Sequence, residues 1–117
     1  MPTLVVEKGT DKGKSIPVAQ NQTVIIGRDT STALPLRDHM TSRMHFKIEA
    51  REDGYWLHDL ESMNGTYLNG AKIKLAMKLE VGDLIKAGET LFTFLADGSG
   101  ATTMSGQLLA GYQEGAS

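Results

Sequence analysis

Apolar residues in the first 95 positions come in short runs divided by Gly, Asp, Asn and Pro, without the three-to-four spacing of a helix. Leu4-Val5-Val6 precedes the turn-forming stretch Lys8-Gly9-Thr10-Asp11-Lys12-Gly13, which returns into Lys14-Ser15-Ile16-Pro17-Val18. Pro17 has no N–H for a ladder, which predicts an edge strand. Thr23-Val24-Ile25-Ile26 ends at Gly27-Arg28, and Leu34-Pro35-Leu36 is a second edge-like run. Met44 to Ala50 alternates with period two, which predicts Met44, Phe46 and Ile48 on one face and His45, Lys47 and Glu49 on the other.

Glu52-Asp53-Gly54 reads as a hairpin turn into Tyr55-Trp56-Leu57-His58-Asp59-Leu60. The loop from Glu61 to Gly70 is interrupted by Thr66-Tyr67-Leu68, and Asn69-Gly70 is a hairpin signal into Ala71-Lys72-Ile73. Leu84-Ile85-Lys86-Ala87, the turn Gly88-Glu89 and Thr90 to Leu95 form a closing hairpin. Leu75 to Leu79 holds good helix formers in a run too short for a stable helix, and the pattern leaves its state open. Strands arriving about every eight to twelve residues predict an all-β sandwich or barrel. Phe46, Trp56, Phe92 and Phe94 are expected in its core.

A chain of 117 residues predicts one core, assigned to residues 1–96. Residues 97–117 turn rich in Gly, Ser, Ala and Thr and are expected to form a flexible tail. The chain has no cysteine, which excludes disulfides and thiolate metal sites. His39, His45 and His58 have no zinc-site spacing, and no motif implies a cofactor. Twelve basic residues against fourteen acidic ones give a net charge of -2, so no general field attracts nucleic acid. The N-terminus lacks the basic start and apolar stretch of a signal peptide, and no run is long enough to cross a membrane. A cytoplasmic protein without membrane partners is expected.

Against that neutral background, a set of loop residues stands out. Gly27-Arg28, Ser42-Arg43-Met44-His45 and Asn64-Gly65-Thr66-Tyr67-Leu68-Asn69-Gly70 all fall at the ends of predicted strands. Arginine offers a planar fork of donors to an anion, serine a hydroxyl, and asparagine both a donor and an acceptor. In order and spacing these residues resemble the forkhead-associated (FHA) domain, over roughly residues 3–95. The resemblance implies an FHA-type β-sandwich of about eleven strands with binding loops at one end. It also implies binding of phosphothreonine-containing proteins or peptides, the products of Ser/Thr kinases, with phosphothreonine preferred over phosphoserine.

By the same resemblance, Arg28 and Ser42 bind the phosphate directly and Arg43 assists. Asn64 holds the peptide backbone, and Asn69 falls at the family's second asparagine, a further peptide contact. Met63 stands where many members carry a residue that adds a phosphate contact, which here depends on its backbone N–H. Met40 falls where the family often reads a peptide side chain, implying an aliphatic preference. His45 buttresses the loops, and Gly27, Gly65 and Thr66 shape them. Thr102 and Thr103, if phosphorylated, are candidates for self-recognition.

Two alternatives from other classes share these residues. Ser42, His45 and Asp59 supply the residue types of a hydrolase triad, although no nucleophile-elbow glycines surround Ser42. A phosphate-independent interaction scaffold could use the same loops.

Overall fold

A computed structural model describes residues 1–96 of the chain. The expected tail, with Thr102 and Thr103, lies outside the described residues.

Eleven strands follow one another: β1 (Thr3–Lys8), β2 (Ser15–Pro17), β3 (Thr23–Gly27), β4 (Leu34–Pro35), β5 (Phe46–Arg51), β6 (Gly54–Asp59), β7 (Thr66–Leu68), β8 (Ala71–Lys72), β9 (Met77–Lys78), β10 (Leu84–Ala87) and β11 (Thr90–Leu95). They form two sheets, in the orders β2-β1-β11-β10-β7-β8 and β4-β3-β5-β6-β9. Pairing is antiparallel except between β3 and β4. The all-β sandwich expected from the sequence is therefore present, and both edge-like runs lie at sheet edges. The open stretch from Leu75 to Leu79 resolves into the edge strand β9. Among the described residues, no helix is long and apolar enough to cross a membrane.

Period-two alternation places the core between the sheets. Leu4, Val6, Ile85, Phe92 and Phe94 face Val24, Ile26, Phe46, Ile48 and Leu57, all buried. Phe46 and Phe92 meet edge-to-face across the gap, with ring centroids 5.3 Å apart, a favoured aromatic geometry. Asn69 and Gly70 both adopt positive φ, 51° and 90°, between the paired Leu68 and Ala71. That is the two-residue hairpin turn whose twist matches its flanking strands.

Two core expectations are corrected. The alternation begins at Phe46 and not at Met44, because the preceding residues are drawn into a loop against β3; Met44 is exposed and His45 fully buried. Trp56 is only half-buried on the outer face of its sheet, where its indole donates to Asp53 and the Arg51 guanidinium lies 4.9 Å above its ring. That stacking and polar anchoring suit an amphipathic ring at the surface.

Candidate functional site

Strand register gathers the loops. Ile26 pairs with Phe46 and Phe46 with Asp59, so the end of β3, the start of β5 and the end of β6 coincide. In the other sheet Thr66 pairs with Ala87, bringing the start of β7 to the turn between β10 and β11. The residues around 28, 38–45, 59–66 and 88–90 thus share one end of the sandwich.

Gly27 makes the closest approach at this end. A β-carbon there would stand 2.0 Å from the Arg43 carbonyl oxygen and 2.9 Å from that of Ser42. Without it, the chain after β3 pairs directly with the next loop: Arg28 N–H donates to the Ser42 carbonyl at 3.0 Å, and Asp29 N–H to that of Arg43 at 3.1 Å. Arg28 is held beside Ser42 and Arg43 by this backbone contact. Its Nε donates to the Thr41 carbonyl at 3.1 Å, which orients the exposed guanidinium. Asp29 forms no ion pair with it; that carboxylate accepts from Ser31 N–H and feels the charge of Arg43. Among the described residues no carboxylate forms an ion pair with Arg28, Arg43 or Lys72.

Ser42 Oγ accepts from Met63 N–H at 2.9 Å, which leaves its own proton to donate. The Met63 N–H expected to reach a phosphate is therefore engaged by Ser42, and the Met63 side chain is 89% exposed. Met63 orients the serine. Asn64 Nδ2 donates to the Met40 carbonyl at 2.8 Å, joining the two loops beside an exposed Met40 side chain.

His45 lies beneath them. Its Nδ1 accepts from Ser42 N–H at 3.0 Å, so its Nε2 carries the proton donated to the Gly65 carbonyl at 2.8 Å. One buried ring thus ties the Ser42 loop to the Asn64–Gly65 loop. Thr66, also fully buried, donates its hydroxyl to Asp59 at 2.7 Å. The same carboxylate accepts from the Ser62 hydroxyl and backbone, and Ser62 Oγ in turn accepts from Gly65 N–H.

These bonds do not assemble Ser42, His45 and Asp59 as a triad. A triad needs Ser42 Oγ on one ring nitrogen of His45 and a carboxylate on the other. Here both nitrogens hold backbone groups, and Asp59 serves Ser62 and Thr66. Asn69 is likewise not brought to the cluster. It follows the far end of β7, where Leu68 pairs with Ile85, and its amide donates to Asp83 and accepts from Leu84 N–H. Its side chain thereby holds the turn after β7.

Sequence reasoning missed Asp38. One of its carboxylate oxygens accepts from Met40 N–H at 2.8 Å, and the other accepts from Glu89 N–H and the Thr90 hydroxyl, both at 2.7 Å. Its carbonyl accepts from Thr41 N–H and the Thr41 hydroxyl. The loop whose carbonyls hold Arg28 and Asn64 is thus pinned to the opposite sheet through one buried carboxylate. The only signal in the sequence was an acidic residue starting a turn, with a hydroxyl three residues on.

Burial by itself pushes the Asp38 and Asp59 carboxyls up, but the hydrogen bonds they accept outweigh it and hold both below the usual carboxylate range. A carboxyl depressed in the folded state stabilises above its unfolded value, about 3.9 for Asp, and that stability fades as pH falls through the folded value. The melting temperature is therefore expected to be level near neutrality and to fall below about pH 4. Asp38→Asn should melt lower at neutral pH and lose part of the acid slope in thermal denaturation followed across pH. An unaltered slope would remove Asp38 from this account.

A family model described as the cytoplasmic domain of an inner-membrane component of the type III secretion system matches residues 5–98. The FHA domain-containing protein FhaB of Mycolicibacterium smegmatis is 38% identical over 88 residues, covering 75% of this chain and 56% of that protein. The chain thus spans little more than half the length of that relative. Among solved structures, the FHA domain of FhaA, complexed with the intracellular domain of another protein, superposes with a TM-score of 0.72 at 30% identity, covering 80% of this chain and 99% of that one. The FHA domain of MEK1, in complex with a phosphothreonine peptide of HOP1, gives a TM-score of 0.68 at 28% identity, covering 82% and 97%.

Proposed function

The chain belongs to the forkhead-associated family, and on that premise we propose that it binds phosphothreonine-containing proteins in kinase-dependent signalling. FHA domains are binding modules rather than enzymes, and we extend that to this chain in a cytoplasmic setting. One observation supports the reading most. Arg28, which no carboxylate pairs with among the described residues, stands beside a Ser42 hydroxyl whose proton remains to be donated. A phosphothreonine carries close to two negative charges and three acceptor oxygens. Arginine and hydroxyl donors match them in charge and geometry.

In this reading Arg28 and Ser42 take the phosphate and Arg43 adds charge from the same loop. Asn64, whose Nδ2 is anchored on Met40, presents its remaining amide groups to the peptide backbone. Met40 offers an apolar surface next to it. His45, Gly27, Gly65 and Thr66 hold these residues in place.

A degenerate phosphothreonine peptide library identifies a ligand, and calorimetry on one selected peptide with and without its phosphate tests the reading. Equal affinity for the two forms would favour the phosphate-independent scaffold. The phosphate also sets a pH dependence. Its second pKa is about 6, so affinity should decline as pH drops through that value and the dianion gains a proton. Titrations between about pH 7.5 and 5.5 check this, and a flat profile would mean that the phosphate is not the anchor.

A further inference from the structure

Lys72 lies on β8, two residues past the tip of the Asn69-Gly70 turn and opposite Tyr67. Its side chain runs back over the recognition loop. A β-carbon built on Gly65 would stand 2.6 Å from Lys72 Cε, 3.3 Å from Cδ and 3.5 Å from Cγ. The lysine stem therefore occupies the space a side chain at position 65 would fill. The Gly65 backbone beneath it is fixed on both sides, its carbonyl by His45 and its N–H by Ser62. The stem is seated on a rigid floor, and among the described residues no carboxylate pairs with its ammonium. Lys78 lies over Gly54 in the same way at a distance from these loops, so what sets Lys72 apart is its place beside Asn64 and not the packing itself. Here the lysine carries a positive charge to the Asn64–Gly65 loop.

We propose that Lys72 is a ligand-contacting cation that favours an acidic side chain close to the phosphothreonine. This rests on the binding reading above. A peptide anchored by its phosphate at Arg28 and Ser42, and held along its backbone by Asn64, passes the neighbouring Gly65. An extended peptide advances about 3.3 Å per residue, so the side chain meeting Lys72 belongs to a residue within about three positions of the phosphothreonine. A carboxylate there gains most from the ammonium, a neutral acceptor gains less, and a basic residue is repelled. Lys72 is exposed, so the preference is expected to be of the size of a surface ion pair.

The test takes one phosphothreonine peptide that the protein binds and places Glu or Gln in turn at each position from about three before to three after the phosphothreonine, the reach set above. Affinities are measured for the wild-type chain, Lys72→Met and Lys72→Arg. At one position the wild type should favour Glu over Gln about two- to fivefold, the range of an exposed ion pair. That ratio should fall to about one in Lys72→Met, which keeps the apolar stem, persist in Lys72→Arg, and vanish near 1 M salt, where the screening length is about 3 Å. If the wild type and Lys72→Met show the same Glu-to-Gln ratios while Arg28→Ala still removes binding, the lysine has no such role and the phosphothreonine reading stands. If no phosphothreonine peptide binds the wild type, both fall together.

Discussion

Arg28→Ala is expected to weaken binding of a phosphothreonine peptide between tenfold and more than a hundredfold while leaving the fold intact. The Arg28 and Arg43 guanidinium groups both combine full charge, a fork of donors and exposure, but among the described residues only that of Arg28 is aimed by a hydrogen bond, from its Nε to the Thr41 carbonyl. Charged hydrogen bonds contribute about 1.5–3 kcal/mol each, and about 1.4 kcal/mol corresponds to a factor of ten in affinity. The fold asks little of this side chain. Its only hydrogen bond among the described residues leaves a loop carbonyl that water can satisfy. Calorimetry and thermal denaturation on the same preparation separate the two effects. Arg28→Lys should recover only part of the loss, because an ammonium cannot reproduce the bidentate geometry. An unchanged affinity in Arg28→Ala would remove this residue from the site.

The strands were legible because their information is periodic. Phe46 and Ile48 in β5, or Phe92 and Phe94 in β11, declare a buried face by spacing alone. The turn at Asn69-Gly70 was legible for a different reason, since few residues accept positive φ at both central positions. Where periodicity ends, the sequence says less. Met44 and His45 exchange the burial that alternation assigns them because the chain before β5 follows the backbone of β3 and not a sheet ladder. Trp56 reads as core by composition, yet alternation sets it on the face opposite the fully buried Leu57, where Asp53 and Arg51 hold its ring.

The site was legible as a list of residue types but not as a network. Asp38 acts through side-chain bonds to the distant Glu89–Thr90 turn, and Asp59 and Ser62 through bonds within their own loop that follow no repeating spacing. The Asn69-Gly70 hairpin was legible and sets Lys72 opposite Tyr67, but nothing in the sequence shows that its stem runs over Gly65. Met63 and Asn69 stand in motif positions, and there the fold adds what no motif states, that the Met63 N–H and the Asn69 amide are bonded within the protein.

His45→Ala is expected to lower stability and binding together, unlike Arg28→Ala. The ring is 0% exposed and bonds the Ser42 N–H on one side and the Gly65 carbonyl on the other. Alanine leaves both backbone groups without their partner, at about 1–3 kcal/mol for each that stays buried, and opens a cavity beneath the loops. A combined loss of about 3 kcal/mol would lower the melting temperature by more than about 10 °C in a domain of this size. Binding should fall as well, because Ser42 and Asn64 lose the ring that fixes their separation, even though His45 need not touch the ligand. His45→Asn offers a shorter donor and acceptor, and partial recovery of stability and affinity in step would identify the residue as a brace. A fully stable His45→Ala that no longer binds would instead make His45 a ligand contact, and the hydrogen bonds to Ser42 and Gly65 would then carry little of the loop geometry.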